Sequence, residues 1–186
     1  MMRENLRAIQ STLLWDRVAA LAALDRLFRS GKLPDPPLDG FYAGELFAFQ
    51  MFPGLDPLAD LANRTWKPWR GKIFDASRNR GENLFARSSL FATRLVWPFY
   101  NGYTDLGSAG YRAFPFHTWV GPGITDPDRD VLKIDYDLPE NPKWIVRQVL
   151  DELVQLSHEF YLGKAHYRWP NGRWRMIAYF SCYPPP

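Results

Sequence analysis

The chain has a single cysteine, Cys182, and only three histidines, His117, His158 and His166, in 186 residues. One cysteine excludes a disulfide within the chain and a thiolate metal site, and three widely spaced histidines carry no metal-site signature. No metal and no cofactor is therefore expected. No apolar run approaches the length that spans a bilayer. The apolar residues of the N-terminus are interrupted by Arg7, Asp16 and Arg17, so a signal peptide is not expected and the cytoplasm is the expected compartment. The sequence also lacks a G-x-S-x-G nucleophile elbow, a P-loop and a dinucleotide fingerprint, which removes the commonest hydrolase and nucleotide-dependent chemistries.

Aromatic residues are abundant instead: 8 Trp, 9 Tyr and 13 Phe make up 16% of the chain. With 46% hydrophobic and 23% charged residues, the composition is that of a folded globular chain of one domain, residues 1–186. Aromatic side chains suit strands and line apolar pockets. The net charge of +3 is unevenly spread. Eight basic residues between Arg64 and Arg94 face only Asp75 and Glu82, whereas Asp126 to Glu140 carries six carboxylates. Neighbouring strands of opposite charge would neutralise one another. No nucleic-acid motif accompanies the basic stretch, so nucleic acid is not an expected partner.

The apolar residues from Glu4 to Ser30 recur at spacings of three and four, which predicts one long amphipathic helix stopped at Gly31. A lone amphipathic helix is not stable, so residues 1–33 are expected to pack on the rest of the domain. The polar arc of that helix is mixed in sign, which argues against a membrane partner. Leu55 to Trp66 reads as a second, short helix. The remainder, residues 38–183, reads as strands near Leu38–Leu46, Lys72–Asp75, Asn83–Phe91, Tyr111–Val120, Val131–Tyr136, Val149–Leu156, Phe160–Arg168 and Arg173–Tyr183. Pro170-Asn171-Gly172 predicts a hairpin between the last two. Asn141–Gln148 is ambiguous between helical turn and strand. Many short strands with regular turn signals predict a mainly β (α+β) protein, an antiparallel meander closing into a β-barrel behind an N-terminal amphipathic helix.

Three stretches carry a resemblance. Gly40-x-Tyr42-x-Gly44 resembles the G-x-W-x-G first strand of bacterial lipocalin-like (calycin-type) barrel proteins, with tyrosine for tryptophan. Trp69-Arg70-Gly71-Lys72-Ile73-Phe74 is similar to their W-x-G-K-x-F element. Asp151-Glu152-Leu153 followed by Tyr161-Leu162-Gly163 is similar to a later strand pair. The resemblance implies a lipocalin-like barrel that binds a hydrophobic ligand, and in a few relatives isomerase or cyclase activity. The tyrosine at position 42 and the long N-terminal helix depart from the pattern.

Candidate site residues follow from strand alternation, in which every second side chain shares a face. On Val131–Asp137, Lys133, Asp135 and Asp137 share one face and Leu132, Ile134 and Tyr136 the other. An inward Asp135 would be a buried base; an outward one is ordinary solvated charge. His117 shares a face with Trp119 and is a candidate acid or base, with Asp135 and Tyr136 as the other catalytic candidates. Lys164 and His166 point one way on their strand, to solvent or to an enclosed anion. Cys182, among aromatics, reads as inert. The residues expected to contact a ligand are Tyr42, Trp69, Lys72, Phe74, Asn83, Phe85, Arg87, Trp97, Tyr100, Phe116, Trp119, Tyr161, Lys164 and His166. The loops Trp97–Tyr103 and Gly121–Pro127 read as lids at a barrel mouth. Binding of a small hydrophobic molecule is the expected function. The alternatives are a cofactor-independent isomerase or cyclase in the same pocket and an interaction module presenting the helix. A homodimer is compatible with all three.

Overall fold

The protein is described by a computed structural model over residues 2–50 and 67–185. The expected helix at Leu55–Trp66 lies outside the described residues. Two helices open the chain, α1 (Met2–Thr12) and α2 (Arg17–Ser30). Among the described residues nine strands follow: β1 (Gly40–Phe47), β2 (Trp69–Asp75), β3 (Arg80–Phe85), β4 (Thr104–Asp105), β5 (Tyr111–Pro122), β6 (Asp130–Asp135), β7 (Val149–Ser157), β8 (Phe160–Arg168) and β9 (Trp174–Tyr183). A short helix, α3 (Leu90–Val96), lies between β3 and β4.

Every pairing is antiparallel. The order runs β3-β2-β1-β9-β8-β7-β6-β5, and β3 also pairs with β5, so eight strands close on themselves. The two-residue β4 pairs with the first residues of β5, beyond the last β5–β6 rung at His117↔Asp135. Closure satisfies the edge groups that aromatic strands would otherwise expose.

Two apolar clusters hold the fold. One fills the barrel interior with Phe74, Phe116, Ile134, Tyr136, Leu153, Tyr161, Phe180 and their neighbours. The other packs Leu6, Leu13, Ala20, Leu24 and Phe28 of the helices against Phe47, Val131, Val154, Phe160, Leu162 and Tyr179 on the outer wall. β7 and β8 are therefore covered on both faces, which is why their sequence alternation is weak. Two glycines are needed where rings lie flat on the inner wall. A methyl group at Gly44 would sit 2.4 Å from the Trp69 ring, and one at Gly163 would sit 2.1 Å from the Phe180 ring.

The structure differs from the sequence reading in three places. The expected single helix is two, because the Asp16 carboxylate accepts from the Ala19 N–H at 2.9 Å and caps a new helix. The expected strand Asn83–Phe91 ends at Phe85 and gives way to α3. There Ser89 and Thr93 turn their hydroxyls to the Tyr111 hydroxyl, 3.1 and 2.7 Å away. In the β8–β9 hairpin only Gly172 takes a positive φ, +78°, while the Gly172 N–H donates to the Trp169 carbonyl at 2.8 Å. That is a type I turn closed by a left-handed glycine, with Pro170 at its second position.

Candidate functional site

One end of the barrel is an open mouth, ringed by the end of β1, the β3–β5 connection, the β6–β7 loop and the top of β9. A cavity of about 360 Å³ enters there, lined by Leu46, Phe49, Trp69, Lys72, Asn83, Phe85, Thr93, Trp97, Phe114, Tyr136, Ile145, Val146, Val149, Asp151, Ala165, Ile177, Ala178 and Phe180. Below it, Tyr42, Phe74, Phe116 and Tyr161 plug the barrel through edge-on ring contacts of 5.4 to 5.7 Å.

Irregular strands shape the lining. Trp69 and Lys72 are three residues apart yet both face inward, because the β2–β3 register shifts between Trp69 and Gly71. Ile177 and Ala178 are adjacent yet both line the cavity, because the β8–β9 register skips Ile177. On β5, Phe114 takes φ +54°, costly for a non-glycine residue, of order 1 kcal/mol. Its N–H is held by the Tyr100 hydroxyl at 2.9 Å and its carbonyl by the Asn83 amide at 3.1 Å, which fixes the kink that turns its ring into the cavity.

The polar groups of the cavity converge on Lys72, which is only 2% exposed. Its ammonium donates to Asp151 Oδ2 at 2.8 Å, to Asn83 Oδ1 at 3.2 Å and to the Tyr136 hydroxyl. Trp69 Nε1 takes the second lone pair of Asn83 Oδ1 at 3.0 Å, which leaves the Tyr136 proton for Asp151 Oδ2 at 3.2 Å. The rings of Trp69, Phe116, Tyr136 and Phe180 surround the ammonium at 5.0 to 5.4 Å. Burial opposes the Lys72 charge, but Asp151 and Tyr136 outweigh it and hold the ammonium above its ordinary pKa. Burial, then the nearby Asp151 charge, push the Tyr136 phenol up. The site is thus a neutral ion pair whose lysine has no free donor. Among the described residues nothing donates to Asp151 Oδ1, which is left as an acceptor.

A second buried polar group lies on the outer wall. Glu152, next in sequence to Asp151, is 0% exposed and accepts from Lys133, from Ile124 N–H at 2.6 Å and from His166 Nε2 at 3.2 Å. Beside it Lys164 donates to Asp126 at 2.8 Å and to Asp25 of α2 at 2.7 Å. This network fastens α2 and the β5–β6 loop to the barrel. Burial pushes the Glu152 carboxyl up, but His166, Lys133 and the Ile124 N–H together hold it below its ordinary 4.5. A carboxyl whose folded pKa is lowered adds stability fully present above its unfolded pKa and lost as pH falls through the folded one. Glu152→Gln should therefore flatten the acid limb of the stability–pH curve below about pH 4.5, read by urea melts at stepped pH. An unchanged acid limb would show that Glu152 takes no part in acid unfolding.

Of the residues expected from sequence, Trp69, Lys72, Asn83, Phe85, Trp97 and Tyr136 line the cavity. Tyr42, Phe74, Phe116 and Tyr161 form its floor, and Tyr100 stacks on Phe114 at 5.0 Å behind its wall. The others are elsewhere. Lys164 faces outward beneath α2 and His166 faces outward against Glu152, Arg87 pairs with Asp105 on the surface, and Trp119 is exposed at the opposite end of the barrel. His117 and Asp135 also lie on the outer wall, 4.0 Å apart and partly exposed, because Ile134 and Tyr136 take the inner face of β6. The structure therefore does not bring them to Tyr136. The loop Trp97–Tyr103 borders the mouth, whereas Gly121–Pro127 folds over Glu152 and Lys164 at the other end. Cys182 is buried on the inner face, and burial pushes its thiol up to about 12.

Asp151 was missed. Its neighbours on the same face are Val149 and Leu153, and those of Glu152 are Leu150 and Val154, so both faces read as apolar. The usable signal was Lys72, two residues from Phe74 on an aromatic face, which needs a buried carboxylate somewhere.

Among the described residues no group of three or more His, Cys, Asp or Glu side chains could hold a metal ion, and no helix is long and apolar enough to cross a membrane. No family model and no curated protein matches the chain. Among solved structures, it is similar to a protein from Thermomonospora curvata known from its crystal structure, with a TM-score of 0.54 and 14% identity over 98% of this chain and 99% of that one. That likeness is one of fold.

Proposed function

We propose that the protein is a lipocalin-like binder of a small, neutral, mostly apolar molecule bearing one hydroxyl group. The observation that carries this reading is the cavity: apolar walls, with Lys72, Asp151, Tyr136 and Asn83 gathered in a single polar cluster. The other polar lining groups are taken. The Thr93 hydroxyl bonds to the Ser89 carbonyl at 2.9 Å, and Trp97 Nε1 donates to the Trp144 carbonyl at 3.2 Å. A cavity of this size and lining suits a small ligand. Because all three Lys72 donors are engaged and, among the described residues, Asp151 Oδ1 accepts no hydrogen bond, the anchor favours a hydroxyl and disfavours a carboxylate. The isomerase reading would use Asp151 as its base, but its Oδ2 already accepts from Lys72 at 2.8 Å and from Tyr136 at 3.2 Å, an arrangement that favours anchoring over proton abstraction.

The test is a titration with the neutral fluorophore Nile red, then competition by dodecanol and by dodecanoate. Dodecanol should compete at least about ten-fold better, as a hydrogen bond to a charged acceptor is worth about 1.5–3 kcal/mol. Ala165→Phe, which fills the cavity opposite Ala178, should weaken dye binding by a similar factor. No dye binding, or binding indifferent to Ala165→Phe in a folded variant, would sink the reading.

A further inference from the structure

We propose that the barrel mouth docks on an anionic lipid bilayer. Two structural facts carry this. The first is apolar exposure beside the entrance to an apolar cavity. Phe91 and Leu95, one turn apart on α3, are 81% and 73% exposed, Phe99 is 93% exposed and Trp144 is 64% exposed. The Trp97 indole donates to the Trp144 carbonyl at 3.2 Å, so the α3 segment and the β6–β7 loop stand side by side. Trp97, Ile145 and Val146, next to these exposed residues, line the cavity itself. Single exposed apolar residues need no explanation, but four of them beside an apolar opening do. Tryptophan in particular suits the boundary between lipid and water.

The second fact is charge. At this end Glu45, Asp105 and Asp137 are each bridged, to Lys67, Arg87 and Arg147 respectively. Arg94, Lys143, Arg173 and Arg175 are exposed and form no ion pair among the described residues. Among the described residues the surplus on the mouth is therefore positive, the sign an anionic bilayer attracts. Aromatic side chains among cations are the pattern of a surface that lies on a membrane without spanning it. A molecule that fits the cavity would partition into lipid, so a mouth held against the bilayer would take it up without a passage through water. That last step rests on the binding reading; the docking itself does not.

The experiment is co-sedimentation of the full chain with vesicles of phosphatidylcholine alone or mixed with phosphatidylglycerol. The wild type should pellet several-fold more with the anionic vesicles, and added salt should weaken it as exposed charges are screened. The double variant Phe99→Glu/Trp144→Glu should lose at least about ten-fold in vesicle affinity, with its thermal melt and its Nile red titration in vesicle-free buffer unchanged. Both side chains are outside the cavity lining, so loss of docking and loss of ligand binding are separable. Three results would overturn the proposal: no pelleting of the wild type, equal pelleting with neutral vesicles, or a double variant that pellets like the wild type. Light scattering that shows a dimer dispersed by the same variant, without vesicle binding, assigns the patch to a second copy of the chain and also overturns it.

Discussion

Replacing Asp151 by alanine should destabilise the protein by about 3–5 kcal/mol, a drop in Tm of roughly 10 °C for a chain of this length. The substitution leaves the Lys72 ammonium, 2% exposed, without its counter-charge. The four surrounding rings and the remaining bonds to Tyr136 and Asn83 offset only part of that cost. Two further results separate this cause from loss of packing. In the variant, Lys72 would bind its proton less readily folded than unfolded, so stability should rise with pH and the deficit should shrink from about pH 6 to about pH 10. The double variant Lys72→Met/Asp151→Leu should recover most of the loss, since a buried ion pair can be replaced by apolar groups with little net change. A double variant as unstable as Asp151→Ala would show that the pair is not the source. The same double variant keeps the barrel but removes the polar anchor, so it should also erase the preference for dodecanol over dodecanoate.

The barrel was legible in the sequence because each of its eight strands overlaps a segment that carries its own signal. Pro170-Asn171-Gly172 marks the last hairpin, and Phe160–Arg168 is observed with the expected bounds. What periodicity could not supply was the orientation of strands covered on both faces. Asp151 and Glu152 look alike in sequence, yet one points into the cavity and the other lies on the outer wall under the β5–β6 loop. The bulges compound this. Trp69 with Lys72, and Ile177 with Ala178, break the period of two at the places that form the site, and only the strand register reveals it. Alternation put Asp135 and Tyr136 on opposite faces and left open which was inward; the aromatic interior of the barrel took Tyr136. The mouth was illegible for another reason. Phe91 and Phe99 come from the connection between β3 and β4 and Trp144 from that between β6 and β7, and nothing in a linear pattern says that they share one rim.

Removing residues 1–30 should cost the barrel its cooperative fold. The helices bury Leu6, Leu13, Leu24 and Phe28 against the outer wall. At about 1.5–3 kcal/mol for each large apolar side chain, this burial is on the order of 6–12 kcal/mol. That is comparable with the entire net stability of a typical domain, about 5–15 kcal/mol. The wall beneath is unsuited to water. Val154, Phe160, Leu162 and Tyr179 would be exposed together, and Lys164 would lose Asp25, keeping the Thr125 hydroxyl and Asp126, which itself would lose Arg29. The truncated chain should therefore aggregate, or show strand content by far-ultraviolet circular dichroism with no sharp thermal transition. Leu24→Ala in the full chain supplies the graded control, with an expected loss of about 2–5 kcal/mol. The opposite outcome, a truncated barrel that melts cooperatively near the full-length Tm, would make the helices an appended module, and the interaction reading of the N-terminus would then replace the structural one. The two cores explain why the first outcome is expected. β7 and β8 carry apolar residues on both faces, and the barrel interior accounts for only one of them.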